Sequence, residues 1–548
     1  MSTAATALHT GKAARLGDVL SEGAARWPER TAVHFPQAER TYAELLEDAR
    51  TVARALYALG VRRGDHVGIL MPNCVELVTA FYGTALLGAV VTPVNARYKA
   101  TELRYVVENA DLAALVITDI SDEHIDYYQL LTQAFPDLPD QHDAARLDIS
   151  GAPALRSVIM LGSRVEPGLM SRSAFEALAE TATIDQVEAE GEPVSPDDVG
   201  LMVYTSGTTA NPKGCQLTHR GVVWVAREGG QRFTVHEGDV FWDPLPMFHM
   251  SAILPMNFTL DVGGTFVSMS HFEPETAIEQ MRKTEPSLIY PCFPPITMPL
   301  ITHPGWQGLD LDRVRVWLNV APLETLRLMH KALPHAAQIG SYGITEGGGI
   351  VSYNDAHEAL RELEFTVGPP LPSSEVRIVG PNGEDLPPGE RGEILVRGVG
   401  LMKGYYKDPE RTAQVIDDQG WLHTGDLCSV DAENRIAYFG RIKDMMKVGG
   451  ENVAPAEIES FLSKHPAVEL VQVIGVPDER LTEVPCAYIQ LRDGEDAVPA
   501  DFIDYCRDQI ASYKVPRHVR IIAEWPMSAT KIQRYKLREM FDAEAGTR

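Results

Sequence analysis

The stretch YTSGTTANPKG, Tyr204 to Gly214, follows directly on an apolar run, Val199–Tyr204, that reads as a buried strand. Two hydroxyl pairs, Thr205-Ser206 and Thr208-Thr209, flank Gly207, and Lys213-Gly214 follow Pro212. Exposed backbone N–H groups, hydroxyl donors and one ammonium are what a polyphosphate needs around it. The stretch is not a Walker A loop, because Gly207 and Lys213 are six apart and no Ser or Thr follows the lysine. A Thr/Gly-rich turn can decorate any surface, so the assignment depends on the chain around it.

Working outward, the first half alternates helix and strand signals. Thr41-Tyr-Ala-Glu44 is a capping box, and apolar residues then recur from Leu45 to Leu59 at helical spacing, with Gly60 placed to stop the helix. Val67–Leu70 and Ala113–Thr118 read as buried strands, which argues for α/β layers with largely parallel sheets. Leu77–Val94 carries no charge but contains Thr79, Gly83, Thr84, Gly88, Thr92 and Pro93. It reads as a buried helix and strand rather than a membrane span. Residues 166–198 are polar and acidic and read as a surface connection. From Gly368 short strands with Pro-Gly punctuation (PNGEDLPPGE, 381–390) predict a β-rich subdomain. GRIKD, 440–444, separates this from about 105 residues, enough for a small α+β domain.

The 548 residues are 45% hydrophobic and 23% charged, values of an ordinary globular protein. A net charge of −27 excludes a broad surface for nucleic acid or anionic lipid. Six scattered cysteines, with no CxxC pair, exclude a disulfide scaffold and a zinc cluster. A reduced, cytoplasmic setting is expected, and MSTAATALHTGKAARLGD lacks the apolar core of a signal peptide. No integral membrane association is expected.

Five segments in order resemble the acyl-adenylate-forming superfamily of acyl-CoA synthetases, peptide-synthetase adenylation domains and luciferases. YTSGTTANPKG resembles its phosphate loop, and PLPMFHM (244–250) its aromatic-histidine segment near the acyl pocket. GSYGITE (340–346) resembles its Tyr-Gly-x-Thr-Glu element. GYYKDPERTAQVIDDQGWLHTGD (404–426) resembles the stretch ending in Thr-Gly-Asp, and GRIKDMMKVGGENVAPAEIE (440–459) the hinge and the start of a mobile domain. The resemblance implies an α/β fold: a large N-terminal domain, 1–441, of α/β layers with a β-rich subdomain at about 368–439. It is hinged to a small α+β C-terminal domain, 442–548.

It further implies ATP, Mg²⁺ and coenzyme A. Thr205, Ser206, Gly207, Thr208, Thr209 and Lys213 would hold the β- and γ-phosphates, Thr345 the α-phosphate, and Glu346 the Mg²⁺. Tyr342 and Gly343 belong to the nucleotide site, and Asp426 with Arg441 would hold the ribose hydroxyls. Before Ala321-Pro322 the family often has two glycines, whereas here Asn319 and Val320 stand there and narrow the floor under adenine or the acyl group. Lys443 is the hinge position, and Gly449, Gly450 and Glu451 would line the pantetheine channel. Lys531 is the candidate catalytic lysine; Pro526-Met-Ser-Ala-Thr530-Lys531 is one residue shorter than the family pattern and lacks its glycine. Residues 510–538 carry seven Lys/Arg and one acid, Glu524, a local charge reversal suited to steering an anion.

The implied activity is an AMP-forming carboxylate–CoA ligase. Phe248-His249-Met250-Ser251 has no carboxylate to pair with an amino group, which disfavours an amino acid. Gly343, where acetyl-activating relatives place Trp, with Gly347-Gly348-Gly349 predicts an open pocket. His249 would gate or line it. The expected substrate is a medium or long fatty acid, or a bulky aryl or alicyclic acid. Alternatives are an acyl-AMP ligase serving a carrier protein, a luciferase-like oxidase, and a nucleotide- or acyl-binding regulator without turnover. A homodimer is left open.

Overall fold

The structure, a computed structural model, describes residues 13–120, 123–205, 211–321, 323–356, 366–448, 451–478, 480–507, 509–528 and 531–545. Two seven-stranded sheets dominate. The first runs Ala337–Ile339, Val316–Asn319, Leu288–Cys292, Val240–Trp242, Thr265–Val267, Thr31–His34, Glu39–Thr41, parallel throughout except at its last pair. The second runs Gly404–Tyr405, Lys213–Thr218, Val199–Thr205, Val90–Pro93, His66–Leu70, Leu112–Ile117, Ser157–Met160. Its first three strands are antiparallel and the remainder parallel. Parallel strands are covered on both faces, which is why His66–Leu70 and Leu112–Ile117 are buried along their whole length.

One continuous hydrophobic core includes both sheets, from Val67 and Leu201 to Phe241 and Trp317. The helix Tyr42–Ala58 begins with the predicted capping box. The Thr41 N–H donates to Glu44 Oε2 at 2.9 Å and the Glu44 N–H to Thr41 Oγ1 at 3.3 Å. Its neighbour, Val75–Leu86, is apolar nearly all round because it is buried nearly all round. No helix among the described residues is long and apolar enough to cross a membrane. The two helices approach at Gly83, where a Cβ would lie 2.7 Å from both the Ala49 carbonyl oxygen and Val52 Cβ.

Residues 166–198 are not a bare connection. They hold two short helices, Arg172–Ala179 and Ile184–Gly191, started by the Ser171 side chain and a Thr183–Gln186 capping box. Each helix buries only two residues, Phe175 and Ala179 in one and Val187 and Gly191 in the other, too few to stand out against the surrounding acids.

The predicted β-rich segment is an antiparallel four-stranded sheet, Ser374–Val379, Gly392–Gly398, Leu422–Val430 and Ile436–Arg441, with its own core around Ile378, Ile394 and Val396. After the turn Ile442–Asp444 the chain enters a five-stranded sheet with a separate core. Glu457 of this last unit pairs at 3.1 Å with Arg391, which immediately precedes the strand Gly392–Gly398. Three of the seven cations in the basic run at 510–538 are paired within the unit. Lys514 pairs with Glu457, Arg520 with Glu544, and Arg534 with Glu459. All six cysteines are buried as free thiols.

His219 ties the start of the chain to the hairpin strand. It is fully buried, its Nδ1 accepts from the Leu16 N–H at 3.3 Å, and a Cβ on Gly200 would lie 2.3 Å from that nitrogen. Burial, and then the Arg15 charge, push its pKa from 6.5 down to about 4. The unfolded chain therefore binds a proton here that the folded chain refuses. The resulting stability is fully present above pH 6.5 and is lost as pH falls toward 4, roughly 3 kcal/mol in all. His219→Gln should flatten that part of the stability–pH curve relative to wild type in denaturant titrations. Parallel curves for the two proteins would refute the assignment.

Candidate active site

The antiparallel hairpin Val199–Thr205/Lys213–Thr218 aligns Thr205 with Lys213, closing the base of the phosphate-type loop. Ser206, Gly207, Thr208 and Thr209 lie outside the described residues. Lys213 is half-buried, its Nζ 4.8 Å from the centre of the Tyr405 ring. Burial and the neighbouring Arg411 lower its pKa, against the pull of Glu346 and Asp408.

Thr345 and Glu346 occupy a short turn, Thr345–Gly347, closed by Gly348 at φ +95°. That left-handed conformation needs glycine. Glu346 Oε1 accepts from the Tyr405 hydroxyl at 2.7 Å, and its backbone oxygen accepts from the Met402 N–H at 2.9 Å. Asp426 is buried opposite Arg441, its partner across the four-stranded sheet. The Tyr342 hydroxyl donates to Asp426 Oδ2 at 2.7 Å, and Arg441 Nε stands 2.8 Å from Oδ1. Burial and then Asp426 push the Tyr342 phenol well above its ordinary range, so it stays a donor. For Arg441, burial opposes the charge, but Asp426, Tyr438, Tyr342 and Glu346 outweigh it and raise its pKa.

The structure thus gathers Lys213, Glu346, Tyr342, Asp426 and Arg441. Glu346 acts electrostatically on both Lys213 and Arg441, and exposed Lys443 is close enough to act on Lys213. His249 is half-buried where the helix Met250–Asp261 begins, its ring 4.7 Å from that of Phe248. Ala321 follows the strand Val316–Asn319; Asn319 is buried there and accepts from Thr297 Oγ1 at 2.7 Å, while Pro322 lies outside the described residues. Glu451 is exposed on the strand Glu451–Val453, and Gly449 and Gly450 lie outside the described residues. Lys531 pairs through its backbone with Ser528 in a two-stranded ribbon; its side chain is outside what is described.

Sequence reasoning passed over Tyr405 and Tyr438. Tyr405 was quoted within GYYKDPERT, but a hydroxyl aimed at an acid 59 positions earlier has no local signature. Tyr438 stacks 5.7 Å from Tyr342 above Asp426, in a strand with no motif of its own.

The oxygen donors suit Mg²⁺. Among the described residues no three His, Cys, Asp or Glu side chains converge as a cage. Mg²⁺ is characteristically held by one or two carboxylates together with substrate phosphates, and Glu346, half-exposed beside Lys213, is such a carboxylate.

Residues 20–406 match the AMP-binding enzyme family, and residues 457–531 match its C-terminal domain. The chain belongs to this family of adenylate-forming enzymes. Within it the chain stands in the acyl-CoA synthetase branch. It is 34% identical over 532 residues to YngI of Bacillus subtilis (strain 168), named as an acyl-CoA synthetase, covering 96% of each chain. It is 33% identical over 527 residues to 3-[(3aS,4S,7aS)-7a-methyl-1,5-dioxo-octahydro-1H-inden-4-yl]propanoyl:CoA ligase of Rhodococcus jostii (strain RHA1), covering 95% of this chain and 97% of that one. The crystal structure of the anthranilate CoA ligase AuaEII in complex with anthranoyl-AMP superposes with a TM-score of 0.83 at 26% identity, covering 98% and 99% of the two chains.

Gly343 changes the account of the pocket. It is exposed, yet a Cβ there would lie 2.0 Å from the Gly349 carbonyl oxygen. A side chain at 343 is therefore excluded by backbone, not merely absent. Gly343→Ala should cost about 1–3 kcal/mol in denaturant unfolding. Gly308→Ala, where nothing lies within 4 Å, should change stability by less than about 0.5 kcal/mol. Equal midpoints for the two variants would show that the 347–349 turn yields freely.

Proposed function

We propose that the chain is an ATP-dependent, AMP-forming carboxylate–CoA ligase acting on a medium- or long-chain fatty acid or a bulky aryl or alicyclic acid. The observation that carries this reading is Glu346 linked through the Tyr405 side chain to Lys213 and lying within electrostatic reach of Arg441, which is paired with Asp426. That order suits a nucleotide lying with its ribose on Asp426 and its phosphates toward Lys213. Bulky acids are supported by the similarity to a ligase named for an indane-dione propanoate and to one captured with anthranoyl-AMP.

A carboxylic acid of pKa near 4–5 is ionised at neutral pH, so no general base is needed for the first step. One carboxylate oxygen attacks the α-phosphorus of ATP, the bond to the bridging oxygen breaks, and pyrophosphate leaves. Thr205, Lys213 and the loop hydroxyls would hold the leaving phosphates, and Lys531 would stabilise charge between acyl and phosphoryl groups. Mg²⁺ on Glu346 would supply offsetting charge for the phosphates. In the second step a thiolate attacks the acyl carbonyl and AMP departs, giving the thioester. Lys443 is proposed as the hinge, with Gly449, Gly450 and Glu451 carried toward the pantetheine channel.

AMP release would be followed from ATP and Mg²⁺ across acetate, octanoate, palmitate, benzoate, cinnamate and an amino acid, with and without CoA. CoA-dependent release with a bulky acid is expected. Pyrophosphate release unaffected by CoA would sink the CoA assignment and indicate another acyl acceptor. Lys531→Ala should lose adenylation by at least about 100-fold while calorimetry shows ATP still bound; unchanged adenylation would remove Lys531 from the mechanism.

Asp426→Asn should weaken ATP binding roughly 10- to 100-fold, the scale of a charge-assisted hydrogen bond. The same variant should discriminate less than wild type between ATP and 2′-deoxy-ATP. Undiminished discrimination would place the ribose elsewhere.

A further inference from the structure

The segment Met402–Tyr406 is bonded to both halves of the phosphate side of the site. On one side the Met402 N–H donates to the Glu346 carbonyl at 2.9 Å. On the other, the Lys403 N–H donates to the Gln216 carbonyl at 2.9 Å and the Tyr406 N–H to the Gly214 carbonyl at 2.7 Å, within the pairing of Gly404–Tyr405 against Gln216–Cys215. The Tyr405 N–H donates to Thr412 Oγ1 at 2.9 Å, so the same backbone is also held by the helix Pro409–Val415. Tyr406 adds a further anchor, its hydroxyl donating to Asp111 Oδ2 at 2.8 Å. On this clamped backbone the Tyr405 hydroxyl meets Glu346 Oε1 at 2.7 Å, and its ring face meets Lys213 Nζ at 4.8 Å.

We propose that Tyr405 is a positioning residue that sets the Glu346 carboxylate against the Lys213 ammonium. One side chain fixes the spacing between the acid that would hold Mg²⁺ and the cation that would hold a terminal phosphate. The inference rests on the ATP-dependent reading above. The geometry explains why these two opposite charges are not simply paired. A direct Lys213–Glu346 ion pair would occupy both groups and leave neither for the ligand. With the phenol donating to one carboxylate oxygen, Oε2 is left for a metal. With the ring beneath it, the ammonium is stabilised without losing its N–H donors to a carboxylate.

The two functions of Tyr405 are separable by substitution. Tyr405→Phe keeps the ring and removes the hydroxyl; Tyr405→Leu removes both. ATP binding would be measured calorimetrically on the full chain without any acid, so that no turnover occurs, once with EDTA and once with Mg²⁺. Wild type should bind ATP in EDTA and gain affinity with Mg²⁺. Tyr405→Phe should match wild type in EDTA within about twofold and lose on the order of tenfold of the Mg²⁺ gain. Tyr405→Leu should weaken binding in EDTA as well.

A Mg²⁺ gain unchanged in Tyr405→Phe, or an equal loss with and without Mg²⁺, would overturn the inference, since general loosening moves both conditions together. Failure of wild type itself to bind ATP would instead overturn the functional reading, which keeps the two outcomes distinguishable.

Discussion

Everything on the phosphate side of the site depends on an antiparallel hairpin added to the edge of a parallel sheet. In a purely parallel sheet each strand leaves its carboxyl end into a crossover helix, and the loop there is short and leads away from the strand. Here Val199–Thr205 turns back on itself as Lys213–Thr218. The loop between them is thereby returned to the point where it began, with Lys213 beside Thr205. The second antiparallel strand, Gly404–Tyr405, can join only because Lys213–Thr218 offers an unpaired edge. The contact that ties Glu346 to this edge thus follows from strand order. His219 and Gly200 secure the hairpin from below, where a buried neutral imidazole fills the space that glycine leaves.

The nucleotide side is built on a different principle. Asp426 is fully enclosed, and an enclosed carboxylate is tolerated only with donors around it. Tyr342 and Arg441 supply them from two separate elements, so the four-stranded sheet and the Tyr342–Glu346 turn are locked by the same acid. Arg441 also donates from Nη1 to the Thr424 carbonyl at 2.8 Å, a second contact that holds its guanidinium in place. The last ordered strand before the C-terminal unit is therefore pinned at its end, and the chain is released immediately after it at Ile442–Asp444. Lys443, the proposed hinge, sits exposed in that turn.

Much of this was legible in the chain because it is local. The Thr41–Glu44 box, the stop at Gly60, the buried strands at 66–70 and 112–117, and the switch to short strands after Gly368 all depend on nearest neighbours. The site residues were legible only through ordered motifs, and the structure gathers Lys213, Glu346, Asp426 and Arg441 from segments spread over more than 200 positions. What escaped was long-range. The helices at 172–179 and 184–191 bury too little to alter the pattern of a polar stretch. Three of the seven cations in the basic run at 510–538 meet acids, Glu457, Glu459 and Glu544, that lie outside the run. Tyr405 was passed over because its two partners are 59 and 192 positions away.

The same distinction bears on what selects the acid. An open pocket at Gly343 was expected from a missing side chain, but space there is governed by a chain of backbone contacts. Gly343 faces the Gly349 carbonyl, and a Cβ on Gly349, at φ +98°, would in turn lie 2.7 Å from Met250 Cβ and 3.0 Å from Leu254 Cδ1. Gly349 therefore lets the turn lie close against the helix that begins beside His249, while Gly348 lets it approach the Gly400 backbone. Bulk cannot be added at 343 or 349 without moving that turn, and Glu346 is the residue at its other end. Space at 343 and the placement of the Glu346 carboxylate are consequently coupled through 346–349.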